Sequence, residues 1–244
     1  MNLLILIAGL TLSFNSEKEQ ITFPSADGLT LTADLYMMHD KSAPFIVLFH
    51  QARWSRGEYL EIAPRLNQLG FNCLAVDLRS GGEVNGVKNM STIAAEKAMK
   101  QTQYIDAFQD IEAAMSYAKK YFAEGKLIIW GSSYSSALTL RYAGDNPDAI
   151  DGVLSFSPGE YFKKQGKSAT YITEGAAKIT KPVFITSAKG EKKSWWNIYE
   201  QIPGDQKTYF LPQTAGNHGS RALWSKFGDS MKYWDAVEIF LKTI

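Results

Sequence analysis

The chain has 244 residues, of which 45% are hydrophobic and 21% are charged, as expected for one compact globular domain with a sizeable core. Its 26 Lys and Arg residues and 25 Asp and Glu residues give a net charge of +1 without a long block of one sign, which argues against nucleic acid as the main partner. A single cysteine, Cys73, rules out an intramolecular disulfide and a cysteine-rich zinc site. Its place in the apolar run Phe71–Leu78 predicts a buried, inert thiol and argues against redox chemistry.

The N-terminal segment begins with the apolar run Leu3–Leu12, which is followed at once by the polar stretch Ser13–Gln20. The apolar run is too short to span a membrane and predicts a signal peptide or N-terminal tail over residues 1–19, with the domain over residues 20–244. The basic start of a signal peptide is reduced here to the α-amino group, so an ordinary first strand or a membrane-binding tail are the alternatives. With a signal peptide the protein is secreted or periplasmic, and otherwise it is cytoplasmic.

Beyond Gln20, short extended runs alternate with segments of helical period, which predicts an α/β domain with a largely parallel sheet. Gln20–Ser25 and Leu29–Met38 flank the turn Ala26-Asp27-Gly28, whose Asp-Gly pair is typical of a hairpin. The sheet is therefore expected to open with two antiparallel strands. The other predicted strands are Phe45–Phe49, Phe71–Val76, Leu127–Trp130, Gly152–Phe156, Val183–Thr186 and Lys207–Leu211.

Helical spacing recurs in three segments of the chain between or after these strands. Tyr59–Leu69 is the first, and it stops at Gly70. The second contains Ile105, Phe108, Ile111 and Met115 on one face, and the third has apolar residues at Trp224, Phe227, Met231, Trp234, Val237 and Leu241. The polar, Gly-rich stretch Arg79–Gln103 predicts an irregular loop or a partial lid.

A strand, a tight turn of small residues and a helix start follow one another within Leu127–Leu138, with Ser133 at the apex of the turn. A hydroxyl at such a turn projects above the carboxyl end of the sheet, where the N–H groups and the positive dipole end of the helix also point. Because serine is a weak nucleophile, this arrangement is useful only with a base nearby. The alternative interpretation is a serine-rich helix cap.

The segment Gly131-Ser132-Ser133-Tyr134-Ser135 resembles the Gly-x-Ser-x-Gly nucleophile elbow of the α/β-hydrolase fold, and the likeness covers nearly the whole chain after Gln20. In detail the chain is similar to dienelactone-hydrolase-like and small bacterial esterase-type members, which are short and lack a large cap. The resemblance implies a mostly parallel eight-stranded sheet with an antiparallel start, flanked by helices, and a minimal cap. One departure is Ser135, which adds a Cβ at the position of the family's second glycine.

The general base is sought among only three histidines, His39, His50 and His218. His218 lies in a Gly-rich loop between the last strand and the last helix, where the resemblance places the catalytic histidine. His39 follows the second strand and is expected to be exposed and idle. His50 precedes the nucleophile in the chain and is expected to brace a loop.

The triad acid is expected at the exit of the strand Val183–Thr186, where it can orient the imidazole. There the family's Pro-Val-φ-φ-x-x-Gly-x-x-Asp pattern matches Glu191, a glutamate in place of the commoner aspartate. Neighbouring lysines leave a solvated charged loop as the alternative interpretation. Asp205 is the second candidate and Asp151 the third.

An oxyanion hole needs two N–H donors, and the resemblance implies that one is the amide of Tyr134. The segment His50-Gln51-Ala52 resembles the family's His-Gly oxyanion loop, with Gln51 at the glycine position. The second donor is therefore assigned to the amide of Gln51, with Ala52 as the alternative.

These residues predict a serine hydrolase that cleaves a carboxylic ester, thioester or lactone through an acyl-enzyme on Ser133. Trp54, Tyr161 and Trp195 are expected to contact a small-molecule substrate. No metal or organic cofactor is expected, since the histidines are scattered and no phosphate-binding Gly-rich loop follows a strand. A catalytically silent binding protein and an acyltransferase are the alternatives.

Overall fold

The computed structural model describes residues 18–244 of the chain. They form one eight-stranded sheet and a separate two-stranded ribbon. The strands are β1 (Glu19–Pro24), β2 (Thr30–Tyr36), β3 (Phe45–Phe49), β4 (Asn72–Val76), β5 (Glu83–Val84), β6 (Val87–Lys88), β7 (Leu127–Ser132), β8 (Gly152–Phe156), β9 (Val183–Thr186) and β10 (Lys207–Phe210). The helices are α1 (Ile62–Gln68), α2 (Met90–Lys97), α3 (Phe108–Tyr121), α4 (Tyr134–Asp145), α5 (Tyr171–Ala176), α6 (Lys192–Gln201) and α7 (Ser230–Leu241). The signal peptide or N-terminal tail is predicted over residues 1–19, and residues 1–17 lie outside the described part of the chain.

The strand order is β1-β2-β4-β3-β7-β8-β9-β10, and β5 pairs only with β6. β1 and β2 are antiparallel, β2 is antiparallel to β4, and every later pair in the sheet is parallel. The β1–β2 turn uses Gly28 at a φ of 77°, and Asp27 Oδ1 accepts a hydrogen bond from Leu29 N at 3.2 Å. The predicted mostly parallel sheet with an antiparallel start is confirmed.

Both faces of the sheet are buried, because alternate residues of each central strand enter different cores. In β3, Phe45, Val47 and Phe49 belong to one core, and Ile46 and Leu48 belong to the other. Helices α3, α4, α5 and α6 cover the first core, whereas α1 and α7 cover the second. No helix within residues 18–244 is long and apolar enough to cross a membrane. The loops that leave the carboxyl ends of the parallel strands meet at one edge of the sheet, where α/β folds place their ligands.

The stretch Arg79–Gln103 and the last helix differ from the sequence prediction. Arg79–Gln103 contains the β5–β6 ribbon and α2, so it is more regular than a loop; Asn89 caps α2 by accepting a hydrogen bond from Thr92 N at 2.8 Å. The last helix begins at Ser230, after Trp224 and Phe227. The helical spacing of these two aromatics instead reflects stacking, with ring centroids 6.5 Å apart.

Arg79 is a buried cation that joins three elements beside the carboxyl edge. Its guanidinium contacts Asp110 on α3 at 2.7 Å and Asp27 in the β1–β2 turn at 2.9 Å. The hydrogen bond from Arg79 lowers the pKa of Asp27 to about 2. The ion pairs therefore tie the loop after β4 to α3 and to the hairpin.

Arg79→Met is expected to lower the free energy of unfolding by about 3–5 kcal/mol, because it leaves the buried Asp110 carboxylate without its partner. Lys100→Met is the matched control, since Lys100 also contacts Asp27, at 3.4 Å, but both side chains are partly exposed. An exposed pair of this kind contributes less than about 1 kcal/mol. Urea unfolding followed by circular dichroism measures both values, and equal losses would contradict the prediction.

Candidate active site

Ser133 stands between the end of β7 and the start of α4 with a φ of 58° and a ψ of −122°. A positive φ is strained for any residue with a Cβ, and such strain clusters at functional sites. The Ser133 amide donates to Phe156 O at 2.7 Å, which fixes the turn on β8. The turn therefore holds the hydroxyl above the carboxyl edge of the sheet, at the N-terminus of α4.

The residues on either side of Ser133 explain how the turn packs. A Cβ at Gly131 would collide with backbone atoms of Ser135 and Ser136, so this position requires glycine. Ser135, the departure from the family pattern, fits because its hydroxyl accepts from Ser132 N at 2.9 Å and lies 2.8 Å from Phe49 O. The extra Cβ therefore leaves the strained geometry of Ser133 in place.

Gly131→Ala is expected to lower the free energy of unfolding by about 3 kcal/mol, because the new methyl group has no room between β7 and α4. Gly228→Ala is the matched control, since no atom lies within 4 Å of its Cβ position. Thermal unfolding of both variants checks the prediction. Equal stability of the two variants would show that the turn can relax around a side chain.

Three side chains from separate loops form a hydrogen-bonded chain at this edge. His218 Nε2 lies 2.8 Å from Ser133 Oγ, and His218 Nδ1 lies 2.6 Å from Glu191 Oε1. His218 is in the loop between β10 and α7, between Gly216 and Gly219, whose φ values are 71° and 72°. Glu191 ends a short 3-10 turn after β9. The structure thus brings together the three residues that the sequence predicted as a triad.

The other oxygen of Glu191 is held by two donors. Ser157 Oγ donates to Oε2 at 2.8 Å, and Ala188 N donates to it at 3.2 Å. Burial favours the protonated carboxyl and raises the pKa of Glu191. The hydrogen bond and charge of His218, together with these two donors, outweigh burial, so the pKa of Glu191 is lowered. The carboxylate is therefore fixed in orientation and ionised beside the imidazole.

Ser157 is a residue of this site that the sequence analysis missed. It has a φ of 59°, and its hydroxyl, besides donating to Glu191, accepts from Gly219 N at 2.9 Å. It therefore joins the loops that carry Glu191 and His218. The only signal in the sequence is its place directly after a predicted strand, before Pro158-Gly159.

The two alternative acids lie at the other edge of the sheet. Asp205 lies two residues before β10 in an exposed turn, and Asp151 directly precedes β8 and accepts from Leu127 N at 2.9 Å. Both positions are at the amino ends of parallel strands, whereas His218 is at the carboxyl edge. Glu191 is the carboxylate that contacts the imidazole.

The amides that the sequence predicted as oxyanion donors differ in their hydrogen bonding. The Tyr134 amide is the first of α4 and has no acceptor among residues 18–244. The Gln51 amide, the assigned second donor, instead donates to the Glu58 carboxylate at 2.8 Å and is occupied. The alternative, the Ala52 amide, has no acceptor within the described part of the chain.

The two remaining histidines stand away from this hydrogen-bonded chain. His50 is fully buried, its Nδ1 lies 2.8 Å from Gln51 O, and its Nε2 accepts from Leu78 N at 3.0 Å. Burial lowers its pKa to about 4, so it is a neutral brace between two loops. His39 is half-buried against Asn67 O at 2.7 Å and is not the exposed side chain expected.

Comparisons with known proteins agree with this architecture. The family model described as serine aminopeptidase, S33, matches residues 40–206, a span that includes Ser133 and Glu191 and more than half of the chain. The chain belongs to this family of α/β hydrolases. A search of curated protein sequences finds no significant match for this hydrolase.

Solved structures with the same fold share little sequence with the hydrolase. The Pyrococcus furiosus esterase Pf2001 is 18% identical over 93% of this chain and 92% of its own, with a TM-score of 0.69. A dienelactone hydrolase from Anabaena variabilis is 12% identical over 93% and 97%, with a TM-score of 0.71. Est1E from Butyrivibrio proteoclasticus with bound ferulic acid is 15% identical over 91% and 98%, with a TM-score of 0.69. At these identities the likeness shows the fold.

The three predicted substrate contacts of the hydrolase lie in different environments. Tyr161 is 38% exposed, donates to Ser157 O at 2.7 Å and lies beside the Ser133 hydroxyl, while burial raises the pKa of its phenol. Trp54 is half-buried and stacks on Trp224, with ring centroids 5.2 Å apart. Trp195 is fully buried on the inner side of α6, with its Nε1 donating to Ser187 Oγ at 2.8 Å, so its assignment as a substrate contact is wrong.

A polar cavity of about 510 Å³ lies beside the loop that carries Ala52. Arg53 lines it and directly follows Ala52, and the ring of Tyr104 in its wall lies 4.6 Å from that of Tyr134. Its other walls include Thr92, Gln103, Lys164 and Gln165. The cavity therefore offers mainly hydrogen-bonding and cationic groups to a ligand.

A second residue that the sequence analysis missed is Glu58, which lies in the short 3-10 turn Arg56–Tyr59. Its side chain is fully buried between the loop that carries Gln51 and the elbow, and burial raises its pKa to about 7. A glutamate in a loop is normally exposed, and nothing in the local pattern marked this one.

Proposed function

We propose that the hydrolase cleaves carboxylic esters through an acyl-enzyme on Ser133. The observation that carries the proposal is the chain of short contacts from Ser133 Oγ through His218 to Glu191, built on a strained turn at the carboxyl edge. A nucleophile, a base and an orienting carboxylate in hydrogen-bond reach are the components of acyl transfer.

Ser133, His218 and Glu191 each have a defined role in the proposed reaction. The Ser133 hydroxyl attacks the ester carbonyl while His218 Nε2 takes its proton. Glu191 accepts a hydrogen bond from His218 Nδ1–H and stabilises the imidazolium that forms. The imidazolium then gives its proton to the leaving alkoxide. In the second half, His218 takes a proton from water, whose oxygen attacks the acyl-enzyme. The acyl–Oγ bond breaks, and the imidazolium returns the proton to Ser133 Oγ as the acid is released.

The negative charge on the carbonyl oxygen is proposed to be held by the amides of Tyr134 and Ala52. Both N–H groups are without a protein acceptor in residues 18–244; that of Tyr134 directly follows Ser133 in the elbow, and that of Ala52 lies in the loop after β3. Unpaired donors that are fixed before the reaction stabilise the developing charge without reorganisation. Tyr161, beside the Ser133 hydroxyl, and Trp54 remain the proposed substrate contacts.

The choice of an ester is supported by the named relatives, which include an esterase and a dienelactone hydrolase. We propose that the acyl group extends towards the cavity beside Ala52, whose polar walls favour short or polar groups over long alkyl chains. The family description also names an aminopeptidase, so an amide substrate belongs in the same assay.

A fluorophosphonate probe tests the proposal without knowledge of the substrate. Intact-mass spectrometry is expected to find one adduct on the wild-type protein and none on Ser133→Ala. A panel of short esters, a lactone and an aminoacyl anilide then identifies the bond that is cleaved, and added alcohols distinguish hydrolysis from acyl transfer. A folded wild-type protein that neither reacts with the probe nor cleaves the panel would be a binding protein and would overturn the proposal.

A further inference from the structure

The buried Glu58 carboxylate lies where three loops of the proposed active site meet. Its Oε2 accepts from the Gln51 amide at 2.8 Å, and its Oε1 accepts from Ser132 Oγ at 2.7 Å. Ser132 Oγ accepts in turn from the Ser220 amide at 2.8 Å, two residues after His218. One carboxylate thus connects the oxyanion loop and the elbow directly, and the histidine loop through one hydroxyl.

The backbone around Glu58 is fixed as well. Its amide donates to Ser55 O at 3.0 Å, and its carbonyl accepts from Trp224 Nε1 at 2.9 Å. Gln51 precedes the proposed donor Ala52, and Ser132 precedes the proposed nucleophile Ser133. The position of the carboxylate therefore influences the distance between the proposed nucleophile, Ser133, and the proposed oxyanion donor, Ala52.

We propose that Glu58 is a positioning residue of the proposed ester hydrolysis, and that its ionised carboxylate holds the oxyanion loop and the elbow at their working separation. This inference rests on the proposed function and deepens it. Small displacements of aligned reacting groups cost large factors in rate, so a residue that touches no substrate can act in this way.

Protonation would disturb this arrangement, because both neighbours of the carboxylate are donors. A proton on Oε2 would face the Gln51 N–H group, and a proton on Oε1 would force the Ser132 hydroxyl to turn away. A proton on Oε2 therefore costs the hydrogen bond from Gln51, whereas a proton on Oε1 reverses the hydrogen bond with Ser132, whose hydroxyl can also accept. In both cases the remaining hydrogen bonds lose the carboxylate charge and become weaker, which loosens the connection between the two loops.

The charged groups around Glu58 set the pH at which this happens. Burial raises its pKa, and the hydrogen bonds from Ser132 and Gln51 and the charges of His218 and Arg221 oppose the rise, which leaves a pKa of about 7. The phenols of Tyr59 and Tyr134 also face it and are neutral, since burial raises the pKa of both. Glu58 must therefore lose its proton before the enzyme is fully active.

The test is the pH dependence of kcat and kcat/KM for a short activated ester, measured on the wild type, Glu58→Gln and Glu61→Gln. Glu58→Gln is expected to lower kcat by about 10- to 100-fold with little change in KM. It is also expected to lower the slope of log kcat/KM on the acid side, because the ionisation of Glu58 is removed. Glu61 is exposed and accepts from Ser225 N at 2.9 Å, so Glu61→Gln is expected to match the wild type.

Ser132→Ala provides an independent measurement, with circular dichroism as the check that each variant is folded. It keeps Glu58 but removes a hydrogen bond that favours the carboxylate, so the acid limb is expected to move to higher pH. Wild-type kcat and slope in Glu58→Gln, or an unmoved acid limb in Ser132→Ala, would overturn the inference and leave the ester hydrolase intact. A wild type without esterase activity or probe reaction would overturn the proposed function and this inference together.

Discussion

Ser133→Ala is expected to lower kcat for a short activated ester by about a million-fold, because removal of the nucleophile of a working triad costs about as much as removal of the whole triad. The variant keeps the amides of Tyr134 and Ala52, so a residual rate above that in water is expected. Initial rates with purified protein measure the effect. Turnover near the wild-type level would remove Ser133 from the mechanism.

The same position offers a test of stored backbone strain. Alanine keeps a Cβ at the φ of 58°, whereas glycine has none. The free energy of unfolding of Ser133→Gly is therefore expected to exceed that of Ser133→Ala by about 1 kcal/mol, which a higher unfolding temperature would show. Both variants lack the nucleophile, which makes them a matched pair. Equal stability would mean that the turn holds little strain at this residue.

The parts of the site that the sequence predicts are those carried by local pattern. Ser133 lies in a strand-turn-helix pattern, and His218 and Glu191 follow the last two strands, where a parallel sheet brings loops to one edge. The family likeness located these three residues from their order in the chain. Their mutual distances depend on the fold of the whole sheet and came only from the structure.

The parts that the sequence did not reveal depend on contacts between distant segments. Glu58 and Ser132 are 74 positions apart, and no local period links them. The same carboxylate occupies the Gln51 amide, whereas the Ala52 amide has no acceptor among residues 18–244, and this difference between two neighbouring amides follows no local pattern. Trp195 belongs to a helix whose two tryptophans are adjacent in the chain, and only packing shows which one faces the core.

Glu191→Gln is expected to lower kcat by about 10³- to 10⁴-fold, because it favours the His218 tautomer that cannot act as a base. In the wild type, one carboxylate oxygen accepts from Ser157 Oγ and Ala188 N, and the other faces His218 Nδ1. These two donors hold the amide oxygen of glutamine on their side, so its NH₂ group faces Nδ1. His218 then carries its proton on Nε2 and cannot accept the proton of Ser133.

Asp205→Asn is the matched control for this substitution, because Asp205 was the other candidate acid and lies at the amino edge of the sheet. It is expected to keep the wild-type rate. The lowered pKa of Glu191 adds a direction in pH: its carboxylate form is kept down to a lower pH than that of a free glutamate, and activity is lost as the pH falls through its pKa. Steady-state rates for both variants decide the assignment, since full activity in Glu191→Gln with a loss in Asp205→Asn would transfer the role of triad acid to Asp205.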